Sequence, residues 1–240
     1  MKINLMYHDI SICSDMSSGF QTKVSMPYKV DIIEFENQVK ACVGSDVVFT
    51  FDDGGSSFYT AAAPILEKHG FHGIFFISTA FIGTPGFLTE EQIKVLDGHE
   101  HIIGAHTHNH LRDLSSCDQK TIEFEWNTSV DILSHILNKR VTYASLPNGN
   151  GSEFMYETIS NAGIKRLYTS KPTTKVSRRY GMEIIGRYTV LRAMSTLSVV
   201  RIVQSRFKRF LLGGRWLIVF VVKKVLGTNY YKLRKFIASH

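Results

Sequence analysis

Two hundred and forty residues are enough for one large domain, or for two small ones with thin cores. A hydrophobic share of 44% and a charged share of 20% exclude a disordered or fibrous chain. The longest wholly apolar run, residues 216–222, is far shorter than the roughly 20 residues of a membrane-spanning helix.

The opening MKINLMYHDI turns polar at once, so no signal peptide is expected. Three scattered cysteines, Cys13, Cys42 and Cys117, suit a reduced, cytoplasmic protein better than a disulfide framework. Lys and Arg number 28 and Asp and Glu 21, a net charge of +7. Residues 201–240 hold ten of the cations and no acid, which leaves 18 cations against 21 acids, or −3, in the first 200 residues. The expected organisation is a catalytic domain over residues 1–200 and a basic segment over 201–240.

In chain order, residues 2–7 read as a strand and 34–43 as a helix. The β-branched run VVFTF at 47–51 reads as a buried strand. Residues 57–69 place Phe58, Ala62, Ile65 and Leu66 at helical spacing and stop at Gly70. A strand at 73–78 follows, then a helix opened by the capping pattern T-E-E-Q at Thr89. Beyond it come a strand at 102–105, a long helix at 118–137, a strand near Tyr143, a helix at 152–162 and strands around 165–169 and 184–187. This alternation predicts an α/β fold with a largely parallel sheet, open or closed into a barrel.

TFDDG, at residues 50–54, puts Asp52 and Asp53 at the end of a buried strand, where ligands sit in parallel α/β folds. By itself the motif reads equally well as a turn with an acidic helix cap. Residues 99–110, HEHIIGAHTHNH, hold five of the ten histidines. His106 and His110, four apart just after a strand, can converge on one ion. Asp53, His106 and His110 then make a three-ligand site with an open position, the pattern of a catalytic metal. Zinc is the default, and cobalt, nickel, manganese or iron also suit such donors. Asp52 is left free as a general base. The turn SLPNGNGS, containing Pro147, Asn148 and Gly149, can offer backbone N–H groups to an oxyanion.

These motifs together resemble the polysaccharide deacetylase family, the NodB-homology domain of the carbohydrate esterases. The resemblance runs from MYHDI through TFDDG and HTHNH to LPNG and covers about residues 2–190. It implies a distorted (β/α) barrel of about seven strands and metal-dependent removal of N- or O-acetyl groups from sugars. By position, Asp52 resembles the catalytic base, and Asp53, His106 and His110 the metal ligands. The Asn148 N–H resembles the oxyanion donor, and Thr107 supports the histidine loop. Two departures stand out. Ser145 occupies the position where many members carry an arginine that orients the base, and Arg187 is the candidate to replace it in space. No late Leu-x-His follows, so His8 is the candidate acid.

Residues 201–240 read as two amphipathic basic segments, one with Val203, Phe207, Phe210 and Leu211 and one with Tyr230, Leu233, Phe236 and Ile237. They fit an anionic membrane surface or a helical pair packed on the barrel, with nucleic acid a weaker option. A membrane-bound enzyme on the cytoplasmic face would meet lipid-linked glycans, while loops such as residues 11–29 set substrate choice. Two other readings share the residues: a non-haem iron oxygenase, and a glycan-binding relative that keeps the metal cage without turnover.

Overall fold

Side chains alternate across a strand, so each stave of a closed sheet sends one residue in two toward the axis and the other toward the surrounding helices. The structure, a computed structural model, describes residues 2–12, 17–149 and 151–226. Cys13 and the second tail segment lie outside the described residues. In chain order the elements are β1 (Ile3–Tyr7), β2 (Asp9–Ser11), β3 (Lys29–Asp31), α1 (Ile32–Ala41), β4 (Val47–Phe51), α2 (Ala63–Lys68), β5 (Gly73–Ile77), α3 (Glu90–Gly98) and β6 (Ile102–Ala105). They continue with α4 (Gln119–Leu137), β7 (Tyr143–Ser145), α5 (Glu153–Asn161), β8 (Arg166–Thr169), β9 (Ser177–Arg179), β10 (Met182–Gly186), β11 (Tyr188–Thr189), α6 (Thr196–Gln204) and α7 (Arg206–Leu226).

The main sheet runs β11-β1-β4-β5-β6-β7-β8-β10-β9, parallel throughout except for the β9–β10 pair at one edge. Its two ends are joined through one residue. Gly186 of β10 registers with Thr169 of β8, and two residues later Tyr188 of β11 registers with Leu5 of β1. The β10–β11 segment is therefore a single stave that bridges the last strand to the first, and it gives the expected distorted barrel of seven staves. Arg187 sits at that seam.

The axis is filled by Ile74, Phe76, Tyr168 and Ile185, with Val48, Ile102 and Tyr143 packed against them. The opposite parity, including Leu5, Phe49, Phe51, Phe75 and Leu167, belongs to the larger cluster beneath the helices. Each of these buried side chains contributes about 1.5–3 kcal/mol relative to exposure. The long helix α4 turns Ile122, Trp126, Val130 and Leu133 inward at intervals of three and four. Its N-cap is Asp118, and Asn138 closes it in the left-handed conformation. The reciprocal capping box of Thr89 and Gln92 is present at the start of α3.

Two expectations are refined. The helical run from Ser57 begins as a wide π turn over Phe58–Ala62 before α2, because Pro64 in the first turn of α2 has no N–H to continue a regular ladder backward. The amphipathic run beginning at Arg201 is split at Ser205. That residue is extended, and its hydroxyl accepts from Lys208 N at 3.1 Å to cap α7. Arg209, buried, donates to the carbonyls of Ile202 and Val203 at the end of α6 (2.7 and 2.8 Å). No helix among the described residues is long and apolar enough to cross a membrane.

Candidate active site

The inward parity of the staves carries His8, Asp52, His106, Ser145 and Arg187 to the same end of the barrel, just beyond or at the last residue of β1, β4, β6, β7 and β10. Asp53, one residue further, would point outward, but its φ of 89° turns it back toward the axis. Ser78 N donates to its carbonyl at 3.2 Å and fixes that turn. Thr107 (φ 66°) and His110 (φ 52°) also lie in the left-handed region, so the histidine loop stores backbone strain where it enters the site.

One atom each of Asp53, His106 and His110 lies within 4.8 Å of the others. Asp53 Oδ1 is 3.5 Å from His106 Nε2 and 3.2 Å from His110 Nε2. A tetrahedral zinc with bonds of about 2.1 Å has ligand–ligand edges of about 3.4 Å, so the two edges from Asp53 match the spacing such an ion imposes. The tautomer fits too. His106 Nδ1 donates to the Ser145 carbonyl at 2.8 Å, which leaves Nε2 with its lone pair facing the carboxylate. Two lone pairs that close repel unless a cation lies between them. Burial pushes the Asp53 carboxyl up, but the imidazoles of His106 and His110 beside it outweigh that and hold the group well below the usual carboxylate range. Burial likewise lowers His110, and the Asp53 carboxylate more than reverses this.

Asp52 is gripped from the seam. Arg187 Nη1 donates to its Oδ1 at 2.6 Å and Nη2 to its Oδ2 at 2.8 Å, a bidentate pair with both side chains buried. Ser145 Oγ accepts from Arg187 Nη2 (2.7 Å) and donates to Asp52 Oδ2 (3.1 Å). The guanidinium lies near the faces of Phe76 and Tyr168 and also donates to Thr50 and to the Thr169 carbonyl. Arg187 thus occupies the space left by the small side chain of Ser145. Burial raises the Asp52 carboxyl, yet Arg187 and His106 pull it below its ordinary value. It stays ionised, aimed into the site.

The His8 ring packs at a tilt against Tyr28, with centroids 4.4 Å apart, and its buried Nδ1 has no hydrogen-bond partner among the described residues. Burial lowers its pKa, with the Asp53 and Asp52 carboxylates pulling the other way. Pro147, Asn148 and Gly149 form a 3-10 turn directly after β7. Thr107 contributes its carbonyl to Thr79 N at 3.2 Å, while its hydroxyl has no partner among the described residues.

Three supports escaped the sequence reading. Glu125, buried on α4, accepts from His108 N (2.9 Å), Asn109 N (2.7 Å) and Asn109 Nδ2 (2.7 Å), and so holds the strained loop between the two histidines. Asp9, beside His8, accepts from Ser18 Oγ (2.5 Å) and Ser57 Oγ (2.7 Å) and pairs with buried Lys29 (3.4 Å). A Cβ at Gly19 or Gly55 would collide with that carboxylate, so glycine is required at both positions. This knot ties down the loop carrying Phe20, whose ring packs against His110 (5.2 Å), Phe81 and Phe87. The one available signal was the S-S-G-F composition of that loop, too common to be specific.

The family profile for polysaccharide deacetylases matches residues 42–167, more than half of the chain and inclusive of Asp52, Asp53, His106 and His110. The chain belongs to the polysaccharide deacetylase family. Membership implies a carbohydrate deacetylase. A relative of this family member, YxkH of Bacillus subtilis strain 168, whose name places it among the polysaccharide deacetylases, is 27% identical over 206 residues, 80% of this chain and 72% of its own length. The fold is shared with the deacetylase PplD of Streptococcus pyogenes, solved in complex with acetate (TM-score 0.67, 21% identity, 84% of this chain and 97% of that one). It is shared also with IcaB from Ammonifex degensii (TM-score 0.70, 21% identity, 85% and 97%).

Proposed function

We propose that this deacetylase is a metal-dependent hydrolase that removes an acetyl or similar acyl group from an amino sugar within a glycan or glycan intermediate. The observation that carries the reading is the convergence of Asp53, His106 and His110 beside a second carboxylate, Asp52, held separately by Arg187. Asp53 Oδ1, His106 Nε2 and His110 Nε2 would hold the ion, zinc by default. A divalent ion there supplies Lewis acidity toward an acyl oxygen and lowers the pKa of water.

The chain's own residues do the rest. Asp52, ionised and fixed by two guanidinium N–H groups, takes the proton from the attacking water. The N–H of Asn148, in the turn after β7, donates to the oxyanion as the water oxygen bonds to the acyl carbon. His8 gives a proton to the leaving nitrogen or oxygen as its bond to that carbon breaks, and the acyl group departs as carboxylate. Phe20, beside His110, supplies an apolar wall on one flank. The acetate held by the fold relative PplD is the product class expected.

The oxygenase reading loses its support from the family assignment. The binding-only reading rests on Ser145 in place of the arginine and on the absent late histidine; the bidentate grip of Arg187 on Asp52 weighs against the first, and His8 is the candidate that answers the second. The test is acetate release from N- and O-acetylated oligosaccharides by the metal-loaded protein. Release abolished by Asp52→Asn supports hydrolysis, and an unaffected Asp52→Asn variant refutes the base assignment.

A further inference from the structure

The C-terminal helix α7 presents its apolar side to solvent. Phe207, Phe210, Leu211, Leu217, Ile218 and Val221 fall within about 120° of one another at 100° per residue, and so draw one stripe along the helix. All six are exposed, Phe210 at 74% and Ile218 at 66%. Part of the opposite side faces the barrel: Lys171 lies over the ring of Trp216 (5.6 Å), and a Cβ at Gly213 would come within van der Waals reach of the Pro172 carbonyl, while Phe220, stacked on Trp216, is itself exposed. The stripe is therefore a face that the fold leaves uncovered among the described residues.

Charge says what covers it. No acidic residue follows Glu183 in the sequence. At 100° per residue, exposed Arg206 falls on one margin of the stripe and exposed Arg215 on the other. A second copy seated stripe to stripe would bring these guanidinium groups toward their like, with no acid on either helix to offset them. An apolar stripe margined by cations is instead complementary to an anionic lipid surface, where the rings enter the acyl boundary and the cations stay with the headgroups.

Position gives the surface a purpose. The segment leaving β8 touches the active-site end and α7 within three residues. Ser170 lies against Gly149, in the proposed oxyanion turn, where a Cβ would meet its hydroxyl. Lys171 and Pro172 then carry α7. We infer that α7 is an in-plane anchor on an anionic bilayer, and that the site beside it acts on acylated glycans held at that bilayer. The second half of this inference rests on the deacetylase reading; the first does not.

The experiment is co-sedimentation of the full chain with vesicles of phosphatidylcholine containing about 30 mol % phosphatidylglycerol, and with phosphatidylcholine alone. Binding to the anionic vesicles is expected, weakened by raising the salt. The triple variant Phe207→Ser, Phe210→Ser, Ile218→Ser should lower the partition coefficient by more than about tenfold. The double variant Arg206→Glu, Arg215→Glu should lower it as well. Because all five side chains are exposed, the melting temperature should stay unchanged, which confirms that the variants are folded. Absence of binding, or triple-variant binding equal to the wild type, overturns the anchor. So does a dimer that the triple variant dissociates in the absence of vesicle binding. Acetate release then separates the two readings. If the binding results hold, the triple variant should lose turnover of an acetylated glycan embedded in the vesicles through a lipid tail, and keep turnover of the same glycan in solution. Equal loss on both substrates overturns the membrane-held substrate class. No turnover of either by the wild type points to failure of the deacetylase reading and leaves the vesicle result standing.

Discussion

Arg187→Met is the most informative single change, because it removes a cation from a place where no water can replace it. Arg187 is fully buried and Asp52 nearly so, and both carboxylate oxygens of Asp52 accept from the guanidinium. Truncating one member of such a pair leaves the other charged and unpaired, at a cost of about 3–5 kcal/mol. For a chain of this size that corresponds to a melting temperature lower by about 6–20 °C. Asp52→Asn alone should also destabilise, since it strands the guanidinium. The double variant should recover, with a coupling of about 2 kcal/mol relative to the sum of the single changes. Urea unfolding of the four proteins with a chelator present throughout reads this cycle without any contribution from bound metal. Arg187→Lys should restore part of the stability, because an ammonium supplies the charge without the planar fork. If the two single changes add to within about 0.5 kcal/mol, the pair is not the unit described and the seam does not position the base.

Three further outcomes can be checked. His8→Ala should lower kcat for acetate release by about 10²-fold or more with metal content unchanged, as loss of a proton donor requires; full activity in this variant removes His8 from the chemistry. Glu125→Gln should weaken metal binding by about 10–100-fold, measured by competition with a chromogenic chelator, because the carboxylate that fixes the histidine loop has lost its charge. The third concerns pH. His101 Nδ1 accepts from Gly73 N at 2.9 Å and Nε2 meets Glu67 at 2.9 Å, so the ring is neutral as folded, and burial lowers its pKa in spite of Glu67. A lowered folded pKa means stability that is complete above the unfolded value near 6.5 and is lost as pH falls through it. Between pH 7.5 and 5.5 the wild type should therefore lose more stability than His101→Gln in urea titrations; equal losses would show that His101 does not titrate against folding.

What the sequence disclosed follows the range of the forces involved. The strands at 47–51 and 102–105 were legible because an unbroken apolar run is a local property, and both appear with those bounds. The cap at Thr89 and the convergence of His106 with His110 are local as well, set within four residues. The short strands β2 and β3, three residues each, carry Asp9 and Lys29 at their ends and show no hydrophobic period. Their pairing depends on the buried Asp9–Lys29 contact, which only folding creates. Glu125 looked like any charge on a helix until the loop it satisfies was folded over it. The Arg187–Asp52 pair spans 135 positions and exists because the last stave closes on the first. The sequence offered the empty place at Ser145 and a candidate to fill it, and barrel closure supplied the geometry.

The most direct measurement is metal content, by plasma mass spectrometry, of the full chain purified without chelator or affinity metal. One equivalent of a divalent transition metal per chain is expected, falling to near zero in Asp53→Ala and in His110→Ala while Asp52→Asn retains it. A chain that binds no metal after loading with zinc, cobalt, nickel, manganese or iron, or one whose bound metal survives both ligand substitutions, would contradict the assignment of Asp53, His106 and His110 as its ligands.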